Sequence, residues 1–108
     1  MKWEQLSKFV EEWAESHGLP EDMGGRSLTL VDFASEADCG FFFQGRDLVS
    51  HKAFTLALAK LGRSRNARTE HVTINQDQYR AWLAAEKLED CEASRGRFIG
   101  SRYRLLPA

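Results

Sequence analysis

The residues of this chain that could attack a substrate, move a proton or hold a metal are few and scattered. They are two cysteines, Cys39 and Cys91, and three histidines, His17, His51 and His71. A zinc centre needs thiolates and imidazoles at short, regular spacing. Neither cysteine here belongs to a CxxC pair, and the histidines are spread over most of the chain. No metal site is therefore expected. Two lone cysteines in a chain without a signal-peptide plan read as free thiols rather than a bridge. Ser50 directly precedes His51, but neighbouring residues on a helix point apart, so the two cannot act as nucleophile and base. Glu70 and His71 are separated in the same way if they lie on a strand, where neighbours face opposite sides. The carboxylate pairs Glu11-Glu12 and Glu89-Asp90 sit in charged runs typical of solvated faces, not of general acid/base chemistry. Gly24-Gly25-Arg26-Ser27 lacks the spacing and the Lys-Ser/Thr of a phosphate loop and reads as a turn. No nucleophile elbow or dinucleotide fingerprint occurs. The expectation is a binding protein with no catalytic residues and no cofactor.

Charge is the more informative feature. The 108 residues carry a net charge of −1, but unevenly. Residues 1–40 hold three bases against nine acids, a net of −6. Residues 41–74 hold Arg46, Lys52, Lys60, Arg63, Arg65 and Arg68 against Asp47 and Glu70, a net of +4. The last 34 residues carry six bases and five acids. A basic middle beside an acidic N-terminal third suits either a polyanion or a steered protein contact.

The elements that must position these groups follow from periodicity. Residues 2–16 read as an acidic helix, with Trp3, Leu6, Phe9, Val10 and Trp13 on one stripe and Glu4, Glu11, Glu12 and Glu15 on the other. Gly18 and Pro20 stop it. A second helix is expected from Thr29, which can cap it with Asp32 three residues on. The competing reading takes Leu28–Val31 as a strand, from its alternation and β-branching. Phe41-Phe42-Phe43, between Gly40 and Gly45, reads as a short buried connector, with an exposed Phe42 as the alternative. The third helix is expected from a Ser50 cap through Leu61, ended by Gly62. Its inner face is Phe54, Ala57, Leu58 and Leu61, and its outer face His51, Lys52, Thr55, Ala59 and Lys60. Residues 69–74 alternate as a strand. Asn75 and Gln78 form a capping box for a fourth helix over 76–88. Residues 97–106 alternate as a terminal strand, pairing antiparallel with 70–74. The organisation is thus one domain over 1–108: an acidic helix at 2–16, a helical core at 29–62 and a strand-helix-strand unit at 69–106. The class is α+β, mostly helical, with about four helices and a small antiparallel sheet. No apolar run is long enough to span a bilayer, so a cytoplasmic protein is expected.

One arrangement resembles a known module. An aromatic helix ending in Gly (Phe9, Trp13, Gly18) precedes a capped helix (Ser50, Phe54, Leu58, Gly62). Basic residues (Arg65, Arg68) and a final strand from Gly100 to Leu105 follow. This is similar to the winged-helix module at the C-terminal end of phage and plasmid primase–helicases. The resemblance implies a recognition helix beginning at Ser50 and a wing formed by residues 70–74 and 97–105. Lys52, Thr55 and Lys60 would then face the DNA groove, and Arg63, Arg65, Arg68, Arg102 and Arg104 would contact phosphates. The alternative is a protein-interaction module, such as a phage- or plasmid-encoded regulator or inhibitor. It would dock through Glu4, Glu11, Glu12 and Glu15, with Phe42 as an anchor.

Overall fold

The computed structural model describes residues 3–106, and side chains from residue 5 onward. In order, the chain forms α1 (Trp3–Ser16), β1 (Ser27–Phe33), α2 (Glu36–Phe42), α3 (Leu48–Ser64), β2 (Arg68–Ile74), α4 (Gln76–Glu86), α5 (Glu92–Arg102) and β3 (Arg104–Leu106). The class is α+β. It has five helices among the described residues, one more than the periodicity suggests, and one three-stranded sheet of order β2-β1-β3. The sheet is mixed rather than antiparallel. β1 pairs parallel with β2, Ser27 opposite Arg68 through Phe33 opposite Ile74. β3 pairs antiparallel with β1 over three residues, Leu106, Leu105 and Arg104 opposite Ser27, Leu28 and Thr29. The expected pairing of residues 70–74 with the last strand does not occur, because β1 lies between them.

Two elements of the sequence reading change identity. Thr29 does not cap a helix; it lies inside β1. Leu28 and Leu30 are buried on one side of that strand, Val31 and Phe33 on the other. Such two-sided burial is what a central strand requires, and it outweighs the local Thr29/Asp32 capping signal. Helix α2 instead starts seven residues later, where the Ser35 hydroxyl accepts the Asp38 N–H. The expected strand at 97–106 is helical up to Arg102, leaving only residues 104–106 extended. Phe98 and Ile99 are adjacent and both buried, with Ser94 one turn earlier. That spacing has the period of a helix seated on a core, and the apparent alternation of 97–105 was coincidental.

Helix α3 is longer than expected at both ends. Asp47, not Ser50, caps it, its carboxylate accepting the Ser50 N–H at 2.6 Å. Gly62 does not stop it. A Cβ at that position would lie 3.1 Å from the Leu28 side chain, so Gly62 marks where α3 presses closest on β1. Asn75 and Gln78 form the expected capping box of α4.

The core divides across the sheet. On one side Leu28 and Leu30 pack against Val10 of α1 and Phe54, Ala57 and Leu58 of α3. On the other, Val31, Phe33 and Ile74 pack against Cys39, Tyr79, Leu83, Phe98 and Ile99 from α2, α4 and α5. The side chains of Trp3 and Glu4 lie outside the described residues. No described helix is long and apolar enough to cross a membrane.

Candidate nucleic-acid interface

The predicted groove-facing helix divides into two unlike faces. Lys52 and Lys60 are exposed on α3, together with Val49, Leu56 and Arg63. Thr55, expected to face outward with His51 and Ala59, is buried at 4% exposure, and all three belong to the inner face. The reason is the end of the sheet. Arg68 N donates to Arg26 O and Ala34 N to Ile74 O, so the even-numbered peptides of this stretch turn toward β2. Val31, being odd, turns its carbonyl the other way, past the point where three-residue β3 has ended. His51 Nε2 meets that carbonyl at 2.7 Å and the Thr55 hydroxyl donates to it at 3.3 Å. A carbonyl only accepts, so Nε2 carries the proton and Nδ1 is left to face Arg46 Nη1 at 3.4 Å. Burial holds the imidazole pKa below its ordinary value, which the hydrogen bond to Val31 only partly offsets. His51 and Thr55 thus close an open strand edge and cannot read bases.

The arginines gather elsewhere, at the end of the sheet where β1 and β2 begin. Arg65 is the C-cap of α3, and Asn66 takes a left-handed φ of 66° to turn the chain into β2. The 23–26 turn is zipped onto this corner. Met23 N donates to Arg65 O and Gly25 N to Asn66 O, both at 2.6 Å, with Arg68 N on Arg26 O at 2.9 Å. Gly24 and Gly25 hold positive φ there, 57° and 79°. The turn reading of this Gly-Gly pair is therefore what the backbone shows, and it sets the backbone of Arg26 beside those of Arg65 and Arg68. Arg26 Nη2 donates to Leu105 O at 3.1 Å, tying in β3. Arg104, opposite Thr29, emerges on the same sheet face as Arg68 by the register of β1. Arg104 Nε donates to Ser101 O, a neutral partner. Among the described residues the ion pairs are His71–Asp32, Arg80–Asp77 and Arg95–Asp90. None engages Arg26, Arg63, Arg65, Arg68 or Arg104, so these guanidiniums are held in no ion pair among the described residues.

Other expected site residues fall outside this corner. Lys52 lies eleven residues before Arg63 on α3, about 16 Å along the axis. Arg102 ends α5 with its guanidinium 4.6 Å from the Phe98 ring. Glu11, Glu12 and Glu15 are exposed on α1, and Glu4 lies outside the described side chains. Phe42 is not an exposed anchor. It is half-buried and stacked between Phe33 and Phe98, 5.7 and 5.8 Å from their centroids.

Three groups escaped the sequence reading. Asp32 and His71, expected on a helix and as an isolated strand histidine, meet across β1 and β2 at 2.9 Å. Only the parallel register reveals that pair. Arg95 grips both oxygens of Asp90 at 2.8 Å, donates to Phe41 O and lies 3.8 Å over the Phe41 ring. The Arg95 hydrogen bonds, seconded by the Tyr79 hydroxyl, pull the Asp90 pKa down to about 2. The Tyr103 hydroxyl is buried without a partner. Both cysteines are free, Cys39 buried and Cys91 exposed as the N-cap of α5. The two hydrogen bonds from Ser94 lower the Cys91 thiol pKa, whereas burial raises that of Cys39. Among the described residues no group of three His, Cys, Asp or Glu side chains could hold a metal.

Comparison with known proteins adds no family to this geometry: no family model, curated protein or solved structure matches the chain.

Proposed function

We propose that this protein binds DNA through the arginine-bearing corner formed by the end of α3, the 23–26 turn and the start of β2. One observation carries the reading. Backbone hydrogen bonds join the turn that carries Arg26 to the turn that carries Arg65 and Arg68, with Arg63 at the end of α3, Arg104 on the sheet face of Arg68 and no carboxylate in an ion pair with any of them. Guanidiniums outside ion pairs on a rigid corner are what phosphate contact requires. The exposed stripe of α3, with Lys52, Lys60 and Arg63, would lie along the duplex. The surface departs from the winged-helix arrangement in three respects. Residues 70–74 pair parallel with β1 and not with the last strand, Thr55 is buried, and residues 97–102 are helix rather than wing, so the phosphate contacts would come from the α3–β2 turn instead.

The test is fluorescence anisotropy of a labelled duplex titrated with protein at about 50 and 200 mM salt. Binding that weakens steeply with salt, and drops at least tenfold in Arg65→Ala/Arg68→Ala, supports the proposal. No binding at micromolar protein in the low-salt buffer would sink it.

A protein-interaction module is the second reading, because Val49 and Leu56 stand 78% and 63% exposed one above the other on α3. Its check is a change in sedimentation with a candidate partner that Val49→Ser/Leu56→Ser abolishes.

A further inference from the structure

A groove runs from Arg26 and Arg104 along α5. It consists of three hollows that share walls. The first, about 360 Å³, opens between Arg26, Arg104, Trp13 and Tyr103. The second, about 180 Å³, continues from Trp13 and Tyr103 to Phe43 and Arg46. The third, about 540 Å³, extends from Phe43 to Phe41 and Arg95. Gly100 lines the first two and Gly96 the last two, one helical turn of about 6 Å apart. A Cβ at either glycine would meet nothing within 4 Å, so they form an unobstructed floor.

The walls combine flat rings with cationic groups. Trp13 and His17 are stacked 3.9 Å apart at the rim. Arg46 lies 4.4 Å from the Phe43 ring, and its hydrogen-bond neighbour is the uncharged His51. Arg26 and Arg104 donate to carbonyls only. Arg95 is the exception, since Asp90 neutralises it. Against the other three arginines, which are in no ion pair among the described residues, the groove lining holds one carboxylate, Glu92. Tyr103 lines the first two hollows, and its hydroxyl is buried with no partner among the described residues.

An apolar ligand has no use for that surplus of positive charge. An unpaired strand carries both required parts. Its phosphates suit guanidiniums, and its bases present faces that stack on aromatic rings whatever the sequence. We infer that this groove takes a single-stranded DNA segment leading off the arginine corner, with bases against the Trp13–His17 stack and the Arg-covered rings of Phe43 and Phe41, and phosphates on Arg26, Arg46 and Arg104. The inference rests on the DNA-binding reading above and extends it to an unpaired strand beside the duplex.

The experiment uses a labelled oligo(dT) of about 12 nucleotides, within the span that such grooves cover, together with the labelled duplex. Gly96→Gln/Gly100→Gln fills the floor with neutral side chains that favour the helix, so folding is kept and charge is unchanged. The expected result is oligo(dT) binding at least fivefold weaker in this variant, with duplex binding within twofold of the parent protein. A second readout is quenching of tryptophan emission by oligo(dT), expected to be reduced in Trp13→Phe. Equal oligo(dT) binding by parent and filled-floor variant overturns the groove while DNA binding stands. Binding of oligo(dT) that the variant loses, without any duplex binding, supports the groove and overturns the duplex reading. Binding of neither probe overturns both.

Discussion

At the scale of single residues, the informative positions are those whose polar atoms end up inside. His51 was expected on the solvent side of α3 and is instead fully buried, with Phe33, Phe43 and Phe54 rings around it. Its pKa is below the ordinary 6.5, so the folded protein binds that proton less readily than the unfolded chain. Stability from this residue is therefore present above pH 6.5 and is lost as pH falls from there toward the lowered value. Urea unfolding of the native protein is expected to show a falling midpoint between about pH 7 and 5. His51→Gln, which keeps a donor for Val31 O, flattens that fall while costing roughly 1 kcal/mol at pH 7. Equal pH dependence in both proteins contradicts the account. Acid loss from Asp90 belongs to a separate window, below its usual 3.8 and down to about 2. Tyr103 makes the opposite case. Its hydroxyl is buried and unpartnered, so Tyr103→Phe is expected to leave stability unchanged or raise it by up to about 1 kcal/mol. Neither position was legible in the sequence. A histidine beside a serine says nothing of a strand edge twenty residues earlier.

At the scale of elements, the cap of α4 was legible, whereas the caps of α2 and α3 and the pattern of burial were not. The Asn75/Gln78 box marks α4 in both sequence and structure, because both partners lie within one turn. For α3 the competing caps Asp47 and Ser50 are three residues apart, and the structure chooses Asp47. Asp47→Ala is accordingly expected to lower stability by about 1 kcal/mol and Ser50→Ala by less than about 0.5. The reverse order in urea melts would restore Ser50 as the cap. Helical glycines give a second contrast. Gly62→Ala forces a methyl to 3.1 Å from Leu28, which is buried and cannot move aside freely. The overpacking offsets the helix gain of about 1 kcal/mol, and the net is expected to be destabilising. Gly96→Ala and Gly100→Ala meet open space and are expected to stabilise by roughly 0.5–1 kcal/mol each. The misread elements, β1 and α5, share one cause. Each carries a local pattern for one state, and packing on the sheet imposes the other. Leu28–Phe33 must be buried on both sides, and Phe98 and Ile99 must face one side together.

At the scale of the whole molecule, charge asymmetry was the legible feature, and the assembly of the site was not. Counting bases isolates Arg63, Arg65 and Arg68, which do share a turn and a strand start. Nothing in the count joins Arg26 to them, since that depends on Met23 and Gly25 pairing with Arg65 and Asn66. Nor does it separate Lys52, which sits at the far end of the same helix. The central claim is that this corner, and not the helix alone, makes the phosphate contacts. The most direct test is the salt dependence of duplex binding for the native protein and for Arg63→Ala/Arg65→Ala/Arg68→Ala. Each phosphate contact adds about 0.9 to the slope of log affinity against log salt. With five arginine contacts a native slope of roughly −4 to −5 is expected, and a variant slope shallower by about 2 to 3, with at least tenfold weaker binding at 50 mM salt. A native protein that does not bind, or a variant with the native slope and affinity, contradicts it.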